Sequence, residues 1–282
     1  MLTDAFLSRL DALRLGIHHP AQGGAGGTRR SRSLGSSAEF SDFREYTPGD
    51  DVRRLDWNAY ARFDRLFMKL FAEEQESAVT ILLDTSASMT AKRELALQAA
   101  EVLGYLALSG GDRLRIVLLQ GTGHASSPWF AGRRAYPQAA AFLDGAVFTG
   151  TASLLDGLQS VEHMPKGLSL LITDGYQQGG LGQVLSLLRY RKQEAALIQP
   201  LSAFEMTPAL EGALRLTDAE GAPPLDIVAD SALLRQYQQT LQTFLHTCQG
   251  DCRRHGVAYV LLDGRQPFED AFLPALAGAK LL

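Results

Sequence analysis

Several features that mark other classes of protein are scarce or missing in this sequence of 282 residues. No apolar run approaches the roughly 18 residues that a membrane helix needs, so we expect no integral membrane segment. The formal net charge of −4 gives no reason to expect nucleic-acid binding. The first residues contain neither a basic region nor an apolar core, so we expect no secretory signal and a cytoplasmic location.

Cysteine is scarce as well, since the chain contains only Cys248 and Cys252. Four residues apart on a predicted helix, the two side chains share one face with His255, and His246 is nearby. A zinc site could be imagined there, but the spacing matches no standard zinc finger or zinc ribbon. We therefore expect reduced, partly buried thiols.

The common catalytic motifs are also missing. The sequence has no G-x-S-x-G, no H-E-x-x-H and no phosphate-loop motif. Glycines do cluster at residues 23–27, but no Gly-Lys-Ser/Thr follows them and no strand precedes them, so we do not expect a phosphate loop.

The N-terminal part, residues 1–34, combines a helical pattern with a linker. Residues 3–17 place Leu and Phe at helical spacing. This stripe could lie on a membrane surface, but the acidic residues mixed with its arginines favour packing on the domain. The remainder is rich in Gly and Ser, which predicts a flexible linker. Its basic cluster is either part of a solvated loop or a docking patch for an acidic partner: Arg29, Arg30 and Arg32.

Residues 35–77 are dense in charged and aromatic side chains, too aromatic for a disordered segment. We predict a small β-rich subdomain with a strand at residues 66–72 and ordered turns at residues 47–50 and 56–58. Arginines alternate with aspartates in this stretch, and they could form either an ion-pair network or a surface for a partner.

The remaining residues, 78–282, alternate between strand and helix patterns. We predict strands at 79–83, 113–120, 125–130, 168–173, 195–201 and 258–263, and helices at 92–109, 136–144, 153–161, 181–193, 230–254 and 267–277. A β-hairpin is predicted near residues 213–228, and Asp230 is predicted to cap the helix that follows. Such alternation produces parallel strands joined by right-handed crossovers, so we predict an α/β fold with a doubly wound, mostly parallel sheet.

Side chains with oxygen donors lie in three loops of this domain. Asp84, Ser86 and Ser88 follow the strand at 79–83, Asp174 follows the strand at 168–173, and Thr151 lies before a helix, with Thr149 as a rival. Loops at the carboxyl ends of neighbouring parallel strands converge at one edge of the sheet. Hard oxygen donors suit Mg²⁺ or Mn²⁺, and less well Ca²⁺. The alternative is that Ser86 or Ser88 and Thr151 only cap the following helices.

The three segments D-T-S-A-S-M, G-T-A-S-L-L and I-T-D-G resemble the metal-ion-dependent adhesion site of von Willebrand factor A domains. Upstream, the stretch from E-F-S-D-F-R-E-Y to L-F-M-K-L-F-A-E-E-Q-E resembles the bacterial proteins called domain of unknown function 58, which join it to a von Willebrand A-like domain. The resemblance implies that Ser86 and Ser88 bind the metal directly, that Thr151 binds directly or through water, and that Asp84 and Asp174 hold metal-bound waters.

The resemblance also implies a non-enzymatic, metal-dependent module for protein–protein interaction, in which a partner's Asp or Glu completes the metal shell. Relatives are commonly found with MoxR-type AAA+ ATPases, so we expect an adaptor for such an ATPase in the assembly or maturation of other proteins. Two alternatives stay open. One is a metal-dependent hydrolase or phosphatase with Asp84 or Asp174 as the base and His124 as the one nearby histidine. The other is a membrane-associated scaffold.

Overall fold

The structure is a computed structural model that describes residues 3–16, 39–47, 52, 55–72, 77–151, 153–177 and 179–282. The chain divides into two compact units. One unit is Ala25–Glu76, and the other combines Met1–Gly24 with Ser77–Leu282. None of the helices in the described residues has both the length and the apolarity needed to cross a bilayer.

The first helix is shorter than the predicted 3–17, since α1 comprises Asp4–Leu10. Beyond it the chain turns, and the guanidinium of Arg14 donates to the backbone carbonyls of Asp11 at 2.9 Å and of Leu13 at 2.7 Å. The side chain thus satisfies two backbone carbonyls in the turn that follows the helix.

The apolar side of α1 packs inside its own unit. Phe6 and Leu10 are fully buried in the hydrophobic core. Asp11, directly after the helix, accepts a hydrogen bond of 2.5 Å from the Tyr105 hydroxyl and pairs with Arg133 at 3.1 Å. The apolar stripe is therefore not available to a membrane surface, and the expectation that it packs on the domain is confirmed.

Where the structure describes it, the unit Ala25–Glu76 contains a two-stranded sheet and one short helix: β1 (Glu39–Glu45), α2 (Trp57–Phe63) and β2 (Phe67–Ala72). The two strands are antiparallel, and the predicted strand at 66–72 is confirmed. The predicted turn at 56–58 is wrong, because the Asp56 carboxylate accepts the N–H groups of Asn58 and Ala59 and starts a helix. The turn predicted at 47–50 falls almost entirely outside the described residues.

In its described residues, the larger unit contains nine strands. They are β3 (Ala78–Asp84), β4 (Arg113–Gln120), β5 (Gly123–Ser126), β6 (Phe130–Ala131), β7 (Gly167–Ile172), β8 (Glu194–Leu201), β9 (Gly212–Leu216), β10 (Leu225–Ala229) and β11 (Ala258–Asp263). Seven form one sheet in the order β11-β8-β7-β3-β4-β5, with β6 also paired to β4. The strands from β11 to β4 run parallel, whereas β5 and β6 run antiparallel to β4.

At one edge of this sheet, the structure differs from the prediction of a single strand at 125–130. That strand is split into two, β5 and β6. Between them, the Ser127 hydroxyl accepts the N–H of Ile116 at 2.9 Å and donates to the carbonyl of Pro128 at 2.8 Å. Pro128 has no N–H to donate to the neighbouring strand, and the Ser127 side chain bonds to that strand in place of a backbone carbonyl. The strand is therefore interrupted at this point.

Helices cover both faces of the sheet. Besides α1, the described residues of this unit form the 3-10 helices Ala87–Lys92 and Arg133–Ala135, and α3 (Arg93–Ser109), α4 (Tyr136–Asp144), α5 (Leu154–Ser160), α6 (Gly182–Tyr190), α7 (Ala203–Met206), α8 (Ser231–His255) and α9 (Phe268–Gly278). The 3-10 helix Ala87–Lys92, which was not predicted, directly precedes α3.

Strand β3 lies in the middle of the sheet, and all of its residues are buried. Ile81 and Leu83 point into a core shared with α1, α3, α4 and α9, whereas Leu82 points into a second core shared with α5, α6 and α8. Successive side chains of a strand face opposite sides, so β3 contributes to both layers. The predicted doubly wound α/β fold is confirmed.

The predicted hairpin is present as a separate antiparallel pair, β9 and β10. Apart from Ala229, all of its strand residues are exposed or half-exposed. The chain then enters α8, and the Asp230 carboxylate accepts the N–H groups of Ala232 at 2.9 Å and of Leu233 at 2.7 Å. Asp230 therefore caps α8 as predicted.

Candidate functional site

The three predicted loops meet at the carboxyl-terminal edge of the sheet, because β3 and β7 are adjacent and parallel. The third loop lies beside the first through two backbone hydrogen bonds. Thr149 donates its N–H to the carbonyl of Thr85 at 2.9 Å, and Ala87 donates to that of Gly150 at 2.8 Å. The sheet topology thus brings the predicted residues of all three loops into one region.

Asp84 ends β3 and is buried, with 4% of its surface exposed. Its Oδ1 accepts the N–H of Ser86 at 2.9 Å, and its Oδ2 accepts the hydroxyl of Thr173 at 2.7 Å. Burial raises the pKa of the Asp84 carboxyl, and the nearby charge of Asp174 raises it further, whereas the hydrogen bonds from Ser86 and Thr173 oppose the shift. Among the described residues no cationic side chain forms an ion pair with Asp84.

The two serines of the first loop lie side by side, with 3.0 Å between Ser86 Oγ and Ser88 Oγ. Ser86 precedes the 3-10 helix but its side chain makes no capping hydrogen bond, and Ser88 lies inside that helix. The helix α5 is capped by Ser153, whose Oγ accepts the N–H of Asp156 at 3.3 Å. The capping alternative for Ser86, Ser88 and Thr151 is therefore wrong.

Thr149 and Thr151 are both exposed at the edge of the site. Between them, Gly150 has a φ of +70°, a conformation that lets the loop turn back toward Ala87. The structure brings both threonines to the site but does not distinguish between them, so the choice of Thr151 stays a prediction.

Asp174 has a different environment from Asp84. Its Oδ2 lies 2.7 Å from Lys92 Nζ, and its Oδ1 accepts the N–H of Tyr176 at 3.0 Å. The same ammonium lies 2.6 Å from Glu205 Oε1. Lys92 and Asp174 are 2% and 1% exposed, so this ion pair is almost fully withdrawn from water.

Sequence reasoning missed Lys92, Glu205 and Thr173 as members of this region. A signal existed for Glu205, since Ser202 and Glu205 have the spacing of a capping box and do form one at the start of α7. For Lys92 no local signal existed, because its two carboxylate partners are 82 and 113 residues further along the chain.

A second layer of polar contacts supports the Asp174 loop from below. Gln199 of β8 donates its amide N–H to the carbonyl of Asp174 at 2.6 Å, and Tyr259 of β11 donates its hydroxyl to the amide oxygen of Gln199 at 2.7 Å. The ring of Tyr176 stacks on Phe244 of α8, with centroids 4.7 Å apart. The loop is therefore held directly by β8 and α8, and β11 supports it through Gln199.

The donor set fits a hard divalent cation such as Mg²⁺ or Mn²⁺. In the part of the chain that the structure describes, no group of three or more His, Cys, Asp or Glu side chains is placed to hold a metal. A metal at this edge would depend on hydroxyls and water as well as on carboxylates, which suits Mg²⁺. Such a set is provided by the two hydroxyls at 3.0 Å and by the buried Asp84 carboxyl, which has no ion pair within the described ranges of the chain.

The alternative zinc site at Cys248 and Cys252 gains no support from the described residues, where no group of three or more His, Cys, Asp or Glu side chains is placed to hold a metal. Both thiols are free and buried, as expected. Burial raises the pKa of Cys248 to about 11 and that of Cys252 to about 12. His124 makes its hydrogen bond with Ser160 of α5, at 2.7 Å from Nδ1 to Oγ, rather than with a carboxylate of the site.

A family model matches the chain over residues 42–244, and its description is "Protein of unknown function DUF58". The "Uncharacterized protein Rv1480" of Mycobacterium tuberculosis is 28% identical over 240 residues, which covers 79% of this chain and 74% of that protein.

Two solved structures show a more remote likeness. The "conserved hypothetical protein BatB" from Bacteroides thetaiotaomicron is 15% identical, with a TM-score of 0.44 over 72% of this chain and 98% of that one. The "SpRpn10 VWA domain" is 10% identical, with a TM-score of 0.40 over 69% of this chain and 93% of that one.

Proposed function

The chain belongs to the family described as protein of unknown function DUF58, and we propose that it is a non-enzymatic, metal-dependent module that binds an acidic side chain of another protein. The observation that carries this proposal is the meeting of Asp84, Ser86 and Ser88 with the 149–151 loop at the carboxyl-terminal edge of the sheet. In open α/β sheets ligands bind at this edge.

Each residue of the proposed metal site has a separate role. Ser86 and Ser88 offer their hydroxyls as direct ligands, and Thr151 binds directly or through water. Asp84 and Asp174 orient metal-bound water and contribute negative charge. When bound, Mg²⁺, or alternatively Mn²⁺ or Ca²⁺, supplies an electrophilic centre with one position open to a carboxylate. Few direct carboxylate ligands leave that position attractive to an Asp or Glu of the partner.

The proposed partner is a protein rather than a nucleic acid, and a MoxR-type AAA+ ATPase is the candidate that the family resemblance suggests. In this proposal the chain acts in the cytoplasm as an adaptor in the assembly or maturation of other proteins. The net charge of −4 is consistent with the absence of a general nucleic-acid surface.

Titration with Mn²⁺, followed by electron paramagnetic resonance or calorimetry, tests the metal site. We expect the Ser86→Ala/Ser88→Ala variant to bind Mn²⁺ at least about tenfold more weakly, because it loses two direct ligands. Ser186→Ala is the matched control, since Ser186 lies on the exposed side of α6. Equal Mn²⁺ affinity in the folded double variant and the wild type would contradict the proposal.

Retention of a purified MoxR-type ATPase on the immobilised chain tests the partner. We expect retention in Mg²⁺ and release by EDTA, and we expect the Ser86→Ala/Ser88→Ala variant to retain little ATPase in either condition. Retention that is indifferent to both EDTA and the substitutions would show that the metal does not bridge the two proteins.

A further inference from the structure

The most unusual group near the site is the ammonium of Lys92. It is 2% exposed and is held between two carboxylates, at 2.7 Å from Asp174 Oδ2 and 2.6 Å from Glu205 Oε1. The ring of Tyr176 covers it, with the centroid 5.2 Å from Nζ. A lysine is almost never buried in this way unless its charge is compensated.

Lys92 is linked to the proposed metal ligands both through the backbone and through its ion pair with Asp174. It is the last residue of the 3-10 helix Ala87–Lys92, which contains Ser88 and begins directly after Ser86. Its partner Asp174 is itself a predicted site residue, and its other partner, Glu205, is fixed in turn by Ser202, whose N–H and hydroxyl both donate to Oε2. The ammonium is therefore fixed beside Asp174 of the site, and Glu205 is fixed beside the ammonium.

Three carboxylates and one ammonium thus lie at this edge: Asp84, Asp174, Glu205 and Lys92. With all four ionised they carry two net negative charges, which one divalent cation neutralises. Lys92 compensates the charges of Asp174 and Glu205, whereas Asp84 forms no ion pair with any cationic side chain that the structure describes.

We propose that Lys92 is a positioning residue that sets the charge of the metal site, and that Glu205 acts on the site from outside the recognised motif, through its ion pair with Lys92. Lys92 keeps Asp174 and Glu205 from binding the metal too strongly and thereby reserves the open position for a partner's carboxylate. The inference rests on the proposed function in that it takes the metal to be a divalent cation near Asp84, Ser86 and Ser88.

Charge determines the expected direction of each substitution. Lys92→Gln removes a positive charge that repels the metal, so Mn²⁺ should bind about tenfold more tightly. Glu205→Gln removes a negative charge, so Mn²⁺ should bind more weakly by a similar factor. A merely structural role for Lys92 predicts the opposite for Lys92→Gln, because a loosened site binds metal less well.

The experiment is a Mn²⁺ titration of the full chain and its variants at constant ionic strength. The double variant Lys92→Gln/Glu205→Gln restores the net charge, so its affinity should return to within about threefold of the wild type. Lys166→Gln is the matched control: it makes the same charge change at an exposed residue before β7, at the opposite edge of the sheet. Its affinity should not change.

Each outcome is informative. Unchanged or weaker Mn²⁺ binding by folded Lys92→Gln overturns the inference while leaving the proposed function intact. Binding by Lys92→Gln but none by the wild type overturns the proposed function and supports the inference. If Lys92→Gln does not fold, the comparison of Glu205→Gln with the double variant decides, because the inference requires tighter binding by the double variant and equal affinity overturns it.

Discussion

The positions of Asp84 and Asp174 could be predicted from the sequence, but their environments could not. The sequence identified both as acidic residues at the ends of neighbouring strands, and the structure places both at one edge of the sheet. Their environments differ, since Asp84 accepts bonds from Ser86 and Thr173 whereas Asp174 pairs with Lys92. That difference depends on residues far away in sequence, so no local pattern predicts it. The identity of the metal ligands stays a prediction.

Another single contact, between Tyr105 and Asp11, predicts a pH dependence of stability. The hydrogen bond from the Tyr105 hydroxyl, assisted by Arg133, lowers the pKa of Asp11 in the folded protein. A lowered carboxyl pKa stabilises the fold above the unfolded value of about 3.9, and this stabilisation is lost as the pH falls through the folded value. Asp11→Asn should therefore be less stable than the wild type at pH 7, and the difference should shrink toward pH 3.

Urea unfolding at pH 7, 4 and 3 measures this difference in the free energy of unfolding. Asp144→Asn is the control, because Asp144 is an exposed carboxylate at the end of α4. A difference between wild type and Asp11→Asn that stays constant from pH 7 to pH 3 would show that the Asp11 charge plays no part in the contact.

At the scale of elements, strong local signals led to correct predictions. The buried strands β3, β7 and β8 are apolar runs, and α8 begins at the capping residue Asp230. The split of the edge strand has a tertiary cause, because Ser127 bonds to Ile116 of the neighbouring strand. The helix α1 is shorter than predicted, and local contacts of Arg14 with the carbonyls of Asp11 and Leu13 hold the turn that follows it.

The β9–β10 hairpin should be dispensable for folding. Its only buried strand residue is Ala229, and its first and last residues, Gly212 and Ala229, are paired across the hairpin. Cα atoms of paired residues lie about 5 Å apart, so a short Gly-Asn linker between Glu211 and Asp230 can replace it. We expect the shortened chain to unfold cooperatively, with a melting temperature within about 4 °C of the wild type.

A buried residue of the next element provides the comparison for this deletion. Leu241 of α8 is 5% exposed, and Leu241→Ala should lose about 2–5 kcal/mol through the cavity that it leaves. Thermal melts followed by circular dichroism compare the two variants. A loss of stability in the shortened chain as large as that of Leu241→Ala would mean that the hairpin supports the sheet.

At the scale of the whole larger unit, the Asp174 loop of the site is linked to α8, which packs with α5 and α6 on one face of the sheet. Cys248 and Cys252 lie on the buried side of α8, in the core formed with α5 and α6. Phe244, one turn earlier in α8, stacks on Tyr176 of the Asp174 loop. If α8 separates from the sheet, both thiols become exposed and the loop loses one of its supports.

The rate at which the two thiols are labelled therefore measures how often α8 separates from the sheet. Thiol reagents react with thiolate, and burial raises the pKa of Cys248 to about 11 and of Cys252 to about 12, so native protein at pH 8 should be labelled only when it opens. A metal that binds only the closed form should slow labelling by the factor by which it stabilises that form, about 100-fold at a concentration of 100 times Kd.

Labelling with a chromogenic disulfide reagent, with and without Mg²⁺, measures that factor. In the Ser86→Ala/Ser88→Ala variant, Mg²⁺ should leave the labelling rate unchanged, because the direct ligands are missing. Equal slowing in the variant and the wild type would indicate a general salt effect. An unchanged rate in a wild type that demonstrably binds Mg²⁺ would mean that α8 opens without disturbing the site, and the coupling through Tyr176 and Phe244 would then be wrong.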